Sequence, residues 1–298
     1  MPAIFVIGSS NTDMVVKSAK LPAPGETIIG GEFLMNPGGK GANQAVAAAK
    51  LGAAVTFLCK IGDDIFGRQA LEGFKNEGIN VDLVLIDPVQ PSGVALILVD
   101  GKGENSIAVA SGANGNLQVD ELEQAIAQIQ KGDLILLQLE IPIPTVEYTI
   151  KKCSEKGARV ILNPAPASLL DDAVFPYISI ITPNETEAEL LTGIKVIDLE
   201  SAEDAAKALQ SKGVQNVIIT LGSKGALVYT DAVKTLVPAP VVVAVDTTAA
   251  GDVFNGALAV ALAEGSSLEK AAAFACKVAS IAVTRMGAQA SAPGRSEL

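Results

Sequence analysis

Apolar residues change their spacing several times along the chain, and each change marks a predicted element. Residues 3–7 run apolar and stop at Gly8, the pattern of a fully buried first strand. Similar short runs at 55–59, 134–139, 160–162, 178–181 and 217–220 predict further buried strands. Between them, helical spacing covers about 39–51, a stretch ending near residue 76, and 117–129, 145–156 and 202–212. Strands alternating with helices predict a mostly parallel sheet with helices on its faces. Two stretches break the alternation. Residues 27–35 read as strand between Pro22, Pro24 and Gly25 on one side and Pro37, Gly38 and Gly39 on the other. Residues 81–86, 94–99 and 105–109 read as strands with no long helix between them, and Asp100-Gly101-Lys102-Gly103 makes a hairpin loop between the last two. These stretches predict a small antiparallel sheet inserted into one α/β domain spanning 1–298, from segments of about 12–37 and 92–110.

The end of the chain carries the strongest local signal. An apolar β-branched run at 241–245 is followed by Asp246-Thr247-Thr248-Ala249-Ala250-Gly251-Asp252 and then an apolar helix pattern over 253–262. A last helix follows at 268–284. Small residues where a loop becomes a helix leave unpaired N–H groups open to an anion. Asp252 then lies beside that anion as a base for phosphoryl transfer to a hydroxyl, or else serves only as a helix cap.

Composition narrows the chemistry. Of the 298 residues 49% are hydrophobic, enough for a sizeable core and against disorder. A net charge of −11 argues against a nucleic-acid surface. The chain has no histidine, so His triads and His metal sites are excluded and any base is Asp, Glu, Lys, Tyr or Cys. Cys59, Cys153 and Cys276 fit neither a zinc spacing nor a disulfide framework and read as small core residues of a reducing cytosol. The apolar start lacks a basic segment and a cleavage site, and no run reaches membrane-spanning length.

Other polar groups follow predicted strands, where ligands gather in open α/β sheets. Asn11 and Asp13 follow the first strand, as sugar-binding groups or as a turn. Glu140 closes the strand at 134–139. Asn184 and Glu187 stand at capping-box spacing, or face a triphosphate and its magnesium. Gly39-Lys40-Gly41-Ala42-Asn43-Gln44 is a glycine-rich turn into a helix that is neither a P-loop nor G-x-G-x-x-G. The dehydrogenase fingerprint is therefore missing.

Two segments resemble signatures of the ribokinase/PfkB carbohydrate kinase family: Gly38-Gly39-Lys40-Gly41-Ala42-Asn43-Gln44-Ala45, and the D-T-x-x-A-G-D pattern ending at Asp252. The resemblance extends from about Ile4 to Arg295. It implies a ribokinase-like fold whose small sheet is a lid over the sugar and a homodimer contact. It implies ATP-dependent phosphorylation of D-ribose at the 5-hydroxyl, with fructose, deoxyribose or adenosine as alternative acceptors and a non-catalytic sensor as a remoter one. Asp252 is then the base, and the amides of Ala249, Ala250 and Gly251 form the anion hole. Asn11, Asp13, Gly39, Lys40, Asn43 and Glu140 hold the sugar. Asn184 and Glu187 organise Mg2+ through water, and Asn184, Thr220, Gly222, Ser223, Gly225 and Gly251 meet the nucleotide. A family histidine that contacts adenine is replaced here by Cys276. Asp246, Thr248, Ala282, Arg285, Gly287 and Ser291 match loops that hold a monovalent cation, K+. A cytoplasmic protein is implied, with neither nucleic acid nor membrane as partner.

Overall fold

A computed structural model describes residues 2–298. In its first part the chain forms β1 (Ile4–Ile7), β2 (Asn11–Lys17), β3 (Glu32–Gly38), α1 (Lys40–Lys50), β4 (Val55–Leu58) and β5 (Lys60–Gly62). It continues through α2 (Ile65–Asn76), β6 (Leu85–Asp87), β7 (Gly93–Val99) and β8 (Asn105–Ala110). Regular alternation follows: α3 (Glu123–Gln128), β9 (Leu134–Leu137), α4 (Ile143–Glu155), β10 (Arg159–Leu162), β11 (Ile180–Ile181), α5 (Glu185–Thr192) and α6 (Leu199–Ser211). The chain closes with β12 (Asn216–Thr220), β13 (Ala226–Tyr229), β14 (Lys234–Val237), α7 (Ala250–Ala263) and α8 (Leu268–Ala282).

Eight strands form the large sheet in the order β14-β13-β12-β11-β10-β9-β1-β4. It is parallel from β4 to β12, and β13 and β14 add an antiparallel edge. Both faces are covered, which explains the continuous apolar runs in the strands. Successive side chains divide between two cores: Ile4, Val6, Leu134 and Leu136 pack with residues of α1, α7 and α8, while Phe5, Ile7, Ile135 and Leu137 pack with residues of α3 to α6. α7 is buried from Asp252 to Ala263, as its nearly unbroken apolar sequence requires.

The second sheet has the order β3-β2-β7-β8. It is mixed rather than antiparallel throughout. Each inserted segment brings an antiparallel pair, but β2 and β7 run parallel, with Asn11 opposite Gly93. Hairpins dictate the pairing within each segment, whereas nothing local dictates how the two segments meet.

Other expectations shift for visible reasons. Asn11 to Asp13, polar enough to read as a turn, begin β2. The strand predicted at 27–35 starts only at Glu32, after Gly30 and Gly31 at φ 103° and 116°. Of 81–86 only the end enters β6, because Val84 N–H donates to Val81 O in a turn. The helix predicted at 117–129 breaks into a 3-10 turn, Val119–Leu122, capped by Gln118 and Glu121, and the short α3. Residues 241–245 join neither sheet; Val241 and Val243 are exposed, and among the described residues the run's backbone is bonded where Val245 N–H donates to Val283 O.

Candidate active site

β1 is flanked by β4 on one side and β9 on the other, so the chain reverses direction across the sheet there. Such a reversal opens a crevice at the carboxyl ends of the strands. Residues 8–11 follow β1, Glu140 follows β9, Asn163 follows β10 and Asn184 follows β11.

Two glycines bring α1 down onto this crevice. Gly39 precedes the helix at φ 89°, and a Cβ there would lie 2.6 Å from the Asn11 amide nitrogen. A Cβ on Gly41 would lie 2.6 Å from the amide nitrogen of Ser9. Only backbone fits at that separation. The Lys40 amide thereby donates to Glu140 Oε2 at 3.0 Å, which also accepts from Ser9 Oγ at 2.5 Å.

α7 packs against α1 just as closely: a Cβ on Gly256 would come 2.8 Å from the Gln44 carbonyl oxygen. Asn43 and Gln44 therefore reach Asp252. Asn43 Nδ2 donates to Oδ2 at 3.0 Å and Gln44 Nε2 to Oδ1 at 3.1 Å. Asp252 is 5% exposed, and its oxygens are held by α1 rather than by amides of its own helix. Burial pushes its carboxyl above the usual carboxylate range and Glu140 adds to the rise, while Lys40 and the two amides pull against it. The result is a carboxylate with raised basicity that stays solvated by fixed donors.

The start of α7 has no side-chain cap. Ala249 stands at its N-cap with φ 60°, the one non-glycine residue at positive φ among the described residues. The Ala250 amide donates to Thr247 O at 3.2 Å. Gly251 is exposed, and a Cβ there would meet nothing within 4 Å. Space therefore remains in front of the first turn, where amide dipoles favour negative charge.

Carboxylates crowd one ammonium in this crevice. Burial alone would depress Lys40, but Asp252, Glu140, Glu187 and Asp13 outweigh it and raise it. Asp13 is pushed up to about 6, first by burial and then by Glu140 and Asp252, with Lys40 opposing. Asn11 is buried, and its Oδ1 accepts from Asn114 Nδ2 at 2.7 Å. Asp13, Glu140, Glu187 and Asp252 thus share one charged cluster with Lys40.

On the far side, Asn184 caps α5. Its Oδ1 accepts from Glu187 N–H, Glu187 Oε2 accepts from the Asn184 amide, and Asn184 Nδ2 donates to Glu187 Oε1, each at 2.9 Å. Burial raises Glu187, with the Asn184 amide and Lys40 opposing. The Thr220 amide donates to Pro183 O at 2.9 Å, placing the turn of Gly222, Ser223 and Gly225 beside this cap. Asp246 joins two loops, accepting from Thr248 N–H and Gly287 N–H at 2.9 Å each. Burial would raise its carboxyl, but these bonds hold it low and ionised. Ala282 closes α8 with its carbonyl bonded to the Arg285 amide, and Ser291 Oγ donates to Ala288 O at 2.9 Å. Cys276 lies in the core at 4% exposure, its thiol pushed up to about 11 by burial.

Sequence reasoning missed the uncharged supports: Ser9 on Glu140, Asn114 on Asn11, and Gln44 with Asn163 and Gln138 behind Asp252. Among them only Gln44 had a signal, as the neighbour of Asn43 within a family signature.

Comparison with known proteins gives the same picture. The family model described as pfkB family carbohydrate kinase matches residues 1–295. The chain is 45% identical to the ribokinase of Haemophilus influenzae, over 99% of this chain and 96% of that protein. It is 41% identical to the deoxyribokinase of Salmonella typhi, over 97% of this chain and 95% of that one. It also superposes with a TM-score of 0.90 on the ribokinase of Arabidopsis thaliana complexed with ribose and ATP, at 34% identity, covering 99% of this chain and 96% of that chain.

Proposed function

The chain belongs to the pfkB family of carbohydrate kinases, and on that premise we propose that it transfers the γ-phosphoryl group of ATP to the 5-hydroxyl of D-ribose, giving D-ribose 5-phosphate and ADP. The observation that carries the mechanism is the buried Asp252 carboxylate, gripped by α1 at the open first turn of α7. In this mechanism Asp252 takes the proton of the attacking hydroxyl, and its raised basicity suits it to that task near neutral pH. Amides at Ala249, Ala250 and Gly251 receive the charge developing on the transferred group, with the clear approach at Gly251 supporting its part. Lys40 balances the carboxylates around the reacting centre. Asn11, Asp13, Gly39, Lys40, Asn43 and Glu140 orient the sugar.

Thr220, Gly222, Ser223 and Gly225 flank the nucleotide phosphates beside Asn184. The oxygen-rich pair Asn184 and Glu187 fits a hard cation that keeps its waters, and both side chains are already fixed by the reciprocal cap. Magnesium bound there neutralises phosphate charge. The ionised Asp246 and the carbonyl-rich loops near Ala282, Arg285, Gly287 and Ser291 suit a monovalent cation such as K+.

In β2, β3 and β7, Met14, Met35 and Leu96 stand side by side on the face opposite Asp13, and Phe33 shares that face. Phe33, Met35 and Leu96 are exposed, which supports a homodimer through this sheet, with the sheet serving as a lid. Among the described residues no helix is long and apolar enough to cross a membrane, and we place the enzyme in the cytoplasm.

Deoxyribose is the second reading, favoured by the deoxyribokinase relative. Asn11 decides between them, because a buried amide suits an acceptor with a 2-hydroxyl. ADP release measured across ribose, 2-deoxyribose, fructose and adenosine tests the assignment. Ribose is expected to give the highest kcat/KM; turnover of another acceptor with ribose inert overturns it.

A further inference from the structure

Gln44 makes three hydrogen bonds, and together they leave its amide one orientation. Its Nε2 donates to Asp252 Oδ1 and to Asn163 Oδ1, both at 3.1 Å, and its Oε1 accepts from Gln138 Nε2 at 2.7 Å. Reversing the amide would set an oxygen against two oxygens. Gln138 is 0% exposed, just past the end of β9, and the bond it gives Gln44 uses its only donor group. Its own Oε1 has no partner among the described residues and lies against Gly8, where an added Cβ would come within 2.1 Å of it. A buried carbonyl without a donor is uncommon and destabilising. An apolar side chain of the same size would remove that orphan only by leaving the buried Gln44 Oε1 without its donor, so hydrophobic packing does not account for a glutamine here. The direction of its N–H does.

We propose that Gln138 is a positioning residue for phosphoryl transfer: through Gln44 it fixes the amide that holds Asp252, keeping that carboxylate ionised and aimed at the acceptor hydroxyl. Asn43 holds one oxygen of Asp252 and Gln44 the other, so the plane of the carboxylate follows from the two amides. The charged groups facing Asp252 are Lys40 on α1, Glu140 after β9, Asp13 on β2 and Glu187 on α5. All four remain in place when Gln138 is changed. The inference rests on Asp252 being the base.

Gln138→Met and Gln138→Leu delete the orphaned oxygen but leave the buried Gln44 Oε1 without a donor, so both are expected to fold with a melting temperature close to wild type. A freed Gln44 donates less well to an anion, which favours the protonated carboxyl. The acidic limb of the kcat–pH profile should therefore move upward by about one unit, and kcat on that limb should fall by up to about tenfold. KM for sugar and for ATP should stay within about twofold, because Gln138 touches neither ligand in this scheme. Gln138→Glu keeps the shape and donates only while protonated. Its activity should fall as pH rises through the titration of that glutamate, giving a limb the wild type lacks, and it serves as the test should the apolar variants not fold. Profiles superimposed on wild type, with Asp252→Asn inactive, overturn the role of Gln138 alone. Near-normal turnover by Asp252→Asn removes the underlying reading first.

Discussion

Two helices begin at the same rim of the large sheet and begin differently. α5 is closed: Asn184 and Glu187 satisfy each other's backbone and side-chain groups in a reciprocal cap. α7 is open: its N-cap is a left-handed alanine with no capping side chain, and Gly251 has nothing in front of it. Apolar packing of α7 against α1 and α8 makes that omission affordable, since burial rather than capping holds the helix. Where a fold leaves a buried helix uncapped at the mouth of a cleft, a ligand can take the place of the cap.

The largest break in this comparison comes from Asp252→Asn. Turnover should fall about 10²- to 10⁴-fold while ATP affinity, measured by calorimetry, changes little. Activity close to wild type would leave the open end of α7 without a chemical purpose. Next come two glycines in one helix. Gly251→Ala should fold as well as wild type or slightly better, because the methyl meets nothing, yet lose roughly 10- to 1000-fold in turnover by crowding the anion site. Gly256→Ala should lower stability by about 1–3 kcal/mol in urea unfolding, because its methyl meets the Gln44 carbonyl and Ala47 Cβ, at 2.8 and 2.9 Å. The reverse pattern would show that Gly251 is there for the fold.

Asp13 sharpens the point from the sugar side. Its carboxyl is raised from 3.8 to about 6, so the folded state holds that proton more tightly than the unfolded chain. The group's stability term is therefore most favourable at low pH and is lost as pH rises through 6. Asp13→Asn should gain about 1–3 kcal/mol at pH 8, a gain that vanishes towards pH 4, while KM for the sugar rises. Melts at the two pH values check it; a variant less stable at pH 8 would contradict the crowding described here. The smallest effect belongs to the closed helix. Asn184→Ala should cost about 1 kcal/mol of stability and raise the magnesium concentration needed for half-maximal rate.

The regular half of the fold was legible because fully buried strands advertise themselves as apolar runs between helical patterns. The small sheet was half legible. Its hairpins are local, but the parallel register of β2 with β7 joins residues far apart in sequence and leaves no periodic trace. β2 was hidden by its own polar start, since Asn11 and Asp13 are turn-formers that here stand in a strand. The run at 241–245 shows the converse, apolar residues, most of them β-branched, that pair with no strand. In the site, charged residues drew notice because charges need reasons. Gln44, Gln138 and Asn163 did not, because a neutral amide reads alike whether it faces solvent or a buried carboxylate.

The sheet built from two inserted segments has a bearing on how the polypeptide matures. Asn11 pairs with Gly38 on one strand and Gly93 on another, so neither inserted segment completes the second sheet alone. The β1–β4 pair shortens the loop that joins these distant ends, which lowers the cost of bringing them together. The grip of α1 on Asp252 spans a longer stretch still, 209 residues from Asn43, so the polypeptide must be made through α7 before that contact can form.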